Sequence, residues 1–130
     1  MEKKDLLKDV IKHIDIKSYN STELIDAMRN MSFTSRDTAR AADILMMMCK
    51  EKECTNILTL AGSTSAAGCM QVYVDMVRNK MIDVVVATGA SIIDMDLFEA
   101  LGFKHYIGEK ENVIADTTLR DLYIDRIYDT

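Results

Sequence analysis

The sequence predicts an α/β fold: a parallel, doubly wound (Rossmann-like) sheet, incomplete, with helices on its N-terminal side. Three observations predict it. Two short apolar runs, Thr55-Asn-Ile-Leu-Thr-Leu-Ala61 and Met81-Ile-Asp-Val-Val-Val-Ala87, are rich in β-branched residues and leucine and end at glycine turns, as buried parallel strands do. Ala66 to Asn79 and Asp94 to Leu101 are helical in pattern, so strand, helix, strand, helix follow one another as a βαβ unit, whose crossover is right-handed. Only two firm strands are present, whereas sheets generally hold about four to six. Further strands are therefore expected from a C-terminal portion or from another chain.

Taken in order, residues 1 to 20 are an arm or frayed helix, with Leu6, Val10 and Ile14 at helical spacing. Residues 21 to 53 are helices. Ser21 or Asn20 caps the first, in which Leu24, Ile25 and Met28 form one face. Thr34-Ser-Arg-Asp37 has the form of a capping box opening the second, where Ala41, Leu45 and Met48 repeat up to the charged stop Lys50-Glu51-Lys52. Met46 to Met48 are expected as core filling. Residues 55 to 108 are the βαβ core, in which Met70, Val74 and Val77 should face inward and Asp75 and Arg78 outward, followed by a possible short strand at His105-Tyr-Ile-Gly108. Residues 109 to 130 are a polar loop and a helix from about Thr118 to Ile127, within a single domain.

The composition excludes several function classes. At 48% hydrophobic and 28% charged over 130 residues the chain has globular usage. Its apolar runs fall far short of the ~20 residues that cross a bilayer. Met1-Glu-Lys-Lys-Asp5 leads into no secretory signal, which points to the cytoplasm. Three cysteines cannot form a complete disulfide framework and are expected as buried or inert thiols. With neither His13 nor His105 in a His-x-x-x-His pair, no zinc site is expected. A formal net charge of −5 disfavours nucleic acid and mildly favours cationic substrates.

Chemistry in open parallel sheets collects beyond the carboxyl ends of the strands, where this chain has two polar turns. The first, Ala61-Gly-Ser-Thr-Ser-Ala-Ala-Gly68, offers three hydroxyls, Ser63, Thr64 and Ser65, before a helix whose exposed N–H groups suit phosphate or ribose oxygens. A serine-rich helix cap is the bland reading. The turn lacks the Gly-Lys-[Ser/Thr] ending of a P-loop and the middle glycine of G-x-G-x-x-G. Nor is it a nucleophile elbow, because the second glycine of G-x-S-x-G and a downstream acid and histidine in order are missing. The second turn, Thr88-Gly89-Ala90-Ser91, precedes Asp94 and Asp96. Asp94 reads as a helix N-cap with Asp96 in the first turn, or one carboxylate binds a ribose hydroxyl or a substrate ammonium.

With these residues in view the chain resembles the deoxyhypusine synthase family, in particular its bacterial deoxyhypusine-synthase-like branch. The likeness is carried by Met31-Ser-Phe-Thr-Ser-Arg36, Leu58-Thr-Leu-Ala-Gly-Ser-Thr-Ser65, Asp75-Met-Val-Arg-Asn79, Val86-Ala-Thr-Gly-Ala-Ser91, Phe98-Glu-Ala-Leu-Gly-Phe-Lys-His-Tyr106 and Leu119-Arg-Asp-Leu-Tyr-Ile-Asp-Arg-Ile-Tyr128. The resemblance implies an oligomeric NAD-dependent enzyme that takes an aminobutyl group from spermidine, carries it as an imine on an enzyme lysine and delivers it to a lysine of translation initiation factor 5A. The related homospermidine synthase delivers it to putrescine. By motif, Ser63, Thr64 and Ser65 match the first NAD loop, Thr88, Gly89 and Ala90 the second, and Asp94 or Asp96 the acidic element after it. The family pattern continues past Thr130, and none of Lys80, Lys104 or Lys110 matches the imine lysine. The resemblance thus implies an N-terminal portion, without the catalytic lysine, that pairs with copies of itself, a C-terminal partner or a full-length one. A non-catalytic subunit that completes a partner's interface site is the other reading.

Overall fold

A computed structural model describes residues 2–108 and 114–127. In chain order it forms α1 (Lys3–Leu6), a 3-10 turn (Ile16–Ser18), α2 (Thr22–Met28), α3 (Phe33–Lys50) and β1 (Ile57–Leu60). A widened helical turn (Ser65–Cys69) leads into α4 (Met70–Arg78), followed by β2 (Val84–Ala87). Then come α5, one continuous run made of Gly89–Ser91, Ile92–Leu97 and Phe98–Ala100, and α6 (Asp116–Asp121). The polar loop expected after Gly108 falls largely outside the described residues, as do Lys110 and the last three residues.

The residues divide into two units: Asp15–Thr59 with Val72–Val86, and Met1–Ile14 with Leu60–Gln71 and Ala87–Thr130. In the former, Arg29 of α2 pairs with Asp26 on its own helix and with Asp43 of α3, and Ala39 of α3 is fully buried. Helix α3 opens two residues earlier than the capping-box pattern implies. Ser32 holds the cap position, and the Thr34 carbonyl accepts from the Thr38 hydroxyl. Met46 and Met47 are exposed rather than core filling, while Leu45 and Met48 are half-buried.

Strands β1 and β2 pair in parallel, as expected, in a two-stranded sheet. Asn56 sets their register. Its carbonyl accepts from Asp83 N and Val84 N, its amide N–H donates to Asp83 Oδ2 at 2.8 Å, and its side chain donates to the Met81 carbonyl at 3.0 Å. The strands are not buried, however. Val84, Val85 and Val86 are 41%, 39% and 56% exposed, and Ile57 is 56% exposed. A β-branched run reports strand geometry, but burial needs a covering layer, and no third strand pairs with these two among the described residues.

Helix α4 turns a different face inward from the one its pattern suggests. Met70 and Val74 are half-buried as expected, but Val77 is exposed and Asp75 is 3% exposed, paired with Lys17 at 2.8 Å. That hydrogen bond first, then the charge of Asp75, holds the Lys17 ammonium above its ordinary value. The helix stops by a Schellman closure: Lys80 adopts φ 54°, Met81 N donates to the Met76 carbonyl and Lys80 N to that of Val77.

In the unit that holds both chain ends, residues 9–11 run extended beside 105–107, with an antiparallel bridge between Val10 and Tyr106. The N-terminal helical spacing is thus confined to α1, and the short strand near His105 pairs with the arm instead of the sheet. Gly102 at φ 97° ends α5, with Phe103 packed edge-on against Phe98 at 5.8 Å. Helix α6 stops at Asp121, short of Ile127, because Tyr123 takes φ 57° and Ile124 N closes back on the Leu119 carbonyl.

Candidate functional site

Parallel pairing sends both strands out at the same end, so the two polar turns begin side by side. The Thr88 amide donates to the Leu60 carbonyl at 3.2 Å, and the Ser91 hydroxyl donates to the Gly62 carbonyl at 2.6 Å. Ser91, which is fully buried, therefore ties one turn to the other. It is a residue that spacing alone did not single out.

In the first turn Gly62 takes φ 75° and redirects the chain. Ser63 and Thr64 are half-buried, and their carbonyls accept from Ala67 N and Cys69 N as the widened turn forms. Ser65 is 1% exposed. Neither the Ser65 Oγ nor the Thr64 Oγ1, both buried, has a hydrogen-bond partner among the described residues. Leaving a buried polar group unmatched costs about 1–3 kcal/mol, so two such hydroxyls in one turn ask for a ligand or water to satisfy them. The turn carries no side-chain helix cap, which weighs against the bland reading of its serines.

The second turn is built differently. Thr88 occupies the cap position with extended backbone, and the helix starts at Gly89, five residues before the expected Asp94. Asp94 is therefore not an N-cap: it lies exposed within α5. Asp96, two residues further along, is half-buried, and its Oδ1 is buried without a partner among the described residues. Thr88 and Gly89 are exposed and Ala90 half-buried. A side chain added at Gly62 or Gly89 would meet nothing within 4 Å, so both glycines border open space.

A second cluster was not legible in the sequence. The Glu99 carboxylate accepts from His13 Nε2 at 2.6 Å and from His105 Nδ1 at 2.7 Å, one ring on each oxygen. The Glu99 side chain is 6% exposed and the two histidines 19% and 18%. Burial pushes the Glu99 carboxyl up, but the hydrogen bonds from His105 and His13 outweigh it and leave it below its ordinary value. The six-residue spacing of Glu99 and His105 was visible; His13, 86 residues away from Glu99, gave no signal.

Among the described residues no group of His, Cys, Asp and Glu has the geometry to hold a metal ion, and no helix is long and apolar enough to cross a membrane. The cysteines are free thiols, but Cys49 is exposed rather than buried. A recess of about 200 Å³ in the other unit is lined by Arg29, Arg36, Ala39, Arg40 and Asp43 and by none of the turn residues.

Residues 23–130 match the family described as deoxyhypusine synthase. A deoxyhypusine synthase-like protein of Caulobacter vibrioides is 63% identical over 129 residues, covering 99% of this chain and 35% of that protein. One from Coxiella burnetii is 57% identical over 128 residues, covering 98% and 36%. A probable deoxyhypusine synthase 2 of Methanosarcina acetivorans is 38% identical over 116 residues, covering 89% and 33%. The chain spans about a third of the length of these relatives. By sequence match, and with the paired turns at the ends of parallel strands, the chain belongs to the deoxyhypusine synthase family.

Proposed function

We propose that the chain is the N-terminal portion of an NAD-dependent aminobutyltransferase acting on spermidine, in the cytoplasm, and that it is inactive alone. In this reading its strands are the start of a Rossmann-like sheet that other polypeptide completes, from a homo-oligomer or a C-terminal partner. The observation that carries it is the pair of adjoining turns with unsatisfied buried groups: Thr64 Oγ1 and Ser65 Oγ in one, and Asp96 Oδ1 on the helix that follows the other.

These groups fit a pyridine dinucleotide. Hydroxyls donate to and accept from phosphate and ribose oxygens, a carboxylate accepts from a ribose hydroxyl, and glycines let the backbone come close. Ser63, Thr64 and Ser65, with Thr88, Gly89 and Ala90, would hold the cofactor. Asp96 is the better placed of the two acids, since Asp94 points no buried oxygen at anything. The chemistry NAD supplies when bound is acceptance of a hydride from the polyamine. The chain's own part is to bind and orient the nucleotide; the imine lysine and most polyamine contacts belong to the remaining two thirds of the family pattern.

The exposed strand valines support incompleteness, because a parallel sheet is stable when layers cover it. The test mixes the purified chain with NAD, labelled spermidine and a separately expressed polypeptide equivalent to the relatives' remaining length. Label should reach a protein lysine or putrescine only when both polypeptides are present. Transfer by the chain alone, or none from the mixture, contradicts the proposal.

A further inference from the structure

The Glu99 cluster is not needed for any contact with the proposed ligand, yet it is the most enclosed set of ionisable side chains near the N-terminal arm. A carboxylate only accepts hydrogen bonds. His105 must therefore carry its proton on Nδ1 and His13 on Nε2, and each ring has a fixed orientation.

What the rings hold is the arm. The backbone N–H of Ile14, the residue after His13, donates to the Gly68 carbonyl at 2.9 Å. Ile11 N donates to the carbonyl of His105 itself at 2.9 Å, and Ile107 N donates to the Asp9 carbonyl at 2.7 Å. One carboxylate thus grips both ends of the strap formed by residues 9–14: its far end through His13 beside Gly68, and its near end through His105. The strap presses on the first turn closely. Gly68 lies at φ 94°, and a Cβ there would sit 3.1 Å from the Lys12 carbonyl oxygen. Gly68 closes the widened turn in which Ala67 N bonds the Ser63 carbonyl and Cys69 N bonds that of Thr64.

We infer that Glu99 is a positioning residue for the Ser63–Ser65 turn, acting through His13, His105 and the strap. That the turn holds a nucleotide rests on the function proposed above; that Glu99 orders the turn does not.

The experiment follows amide hydrogen exchange and histidine ring nitrogens by NMR in the 130-residue chain. In the unaltered chain the ring spectra should show His105 protonated on Nδ1 and His13 on Nε2. In Glu99→Ala, loss of a charge-assisted partner should speed exchange about tenfold or more at Ile14, Ala67 and Cys69, with Asp83 and Val84, which bond the Asn56 carbonyl, unchanged. Glu99→Gln, which keeps the volume but cannot accept from both rings, should fall between. Unchanged exchange at Ala67 and Cys69, or equal acceleration at Asp83 and Val84, overturns the inference. If NAD leaves Ser63–Ser65 unperturbed while Glu99→Ala still loosens Ala67 and Cys69, the nucleotide reading fails and the positioning role stands.

Discussion

The turns that follow β1 and β2 begin with similar chemistry, a glycine and hydroxyl residues at a strand end, and are finished in opposite ways. The first is tight: it uses two left-handed glycines, Gly62 and Gly68, widens its first helical turn and buries Ser65 without giving its hydroxyl a partner among the described residues. The second is open: Thr88 and Gly89 are exposed, and the helix that starts at Gly89 widens only from Ile92 on, without a left-handed residue. Burial with an unsatisfied group stores free energy that a ligand can release, whereas an open helix start mainly offers N–H groups and room. On the function proposed above, the first turn would supply the buried hydroxyl contacts and the second the access, with Asp96 on the helix beyond it.

The largest expected effect breaks the first turn alone. Gly68→Ala meets both a left-handed backbone and the Lys12 carbonyl and should destabilise its unit by about 2–3 kcal/mol. Gly89→Ala, placed on a helix with open space around it, should be neutral or stabilising by up to about 1 kcal/mol. Urea unfolding of the two variants checks the contrast, and equal losses would erase it.

Next is Ser65→Ala. Removing a buried hydroxyl that has no partner should raise stability by about 1 kcal/mol while weakening NAD binding. A thermal melt with and without NAD reads both. Lower stability without ligand would mean that the hydroxyl already has an unseen partner and is structural.

The smallest effect concerns acid. Because the Glu99 carboxyl lies below its ordinary value, its contribution is fully present above the unfolded carboxyl's range and is lost as pH falls through its folded value. Desolvation opposes the histidine hydrogen bonds, so the net term is modest. Stability measured from pH 6 down to pH 3 should fall less steeply in Glu99→Gln than in the unaltered chain; identical slopes would remove Glu99 from the acid response.

Much of this was legible in the sequence, and for local reasons. The strand runs, the glycine turns at Gly62 and Gly89, the charged end of α3 and the stop at Gly102 are all written in adjacent residues. The end of α4 fell within a residue of the expected Asn79, but the helix end at Tyr123 was not legible, because a left-handed closure is invisible when it lacks glycine. Asp75 read as an outward charge since its partner, Lys17, lies 58 residues away, and His13 and Glu99 were unreadable as a pair for the same reason. The β2 valines read as buried because the pattern records what a strand prefers, not whether a covering layer is present.

NMR titration of the chain with NAD, following the amides of Ser63–Ser65 and Thr88–Ala90, is the most direct test. One shared nucleotide site predicts that both sets of signals shift together along a single saturation curve. Shifts confined to one turn, or to neither, would contradict it.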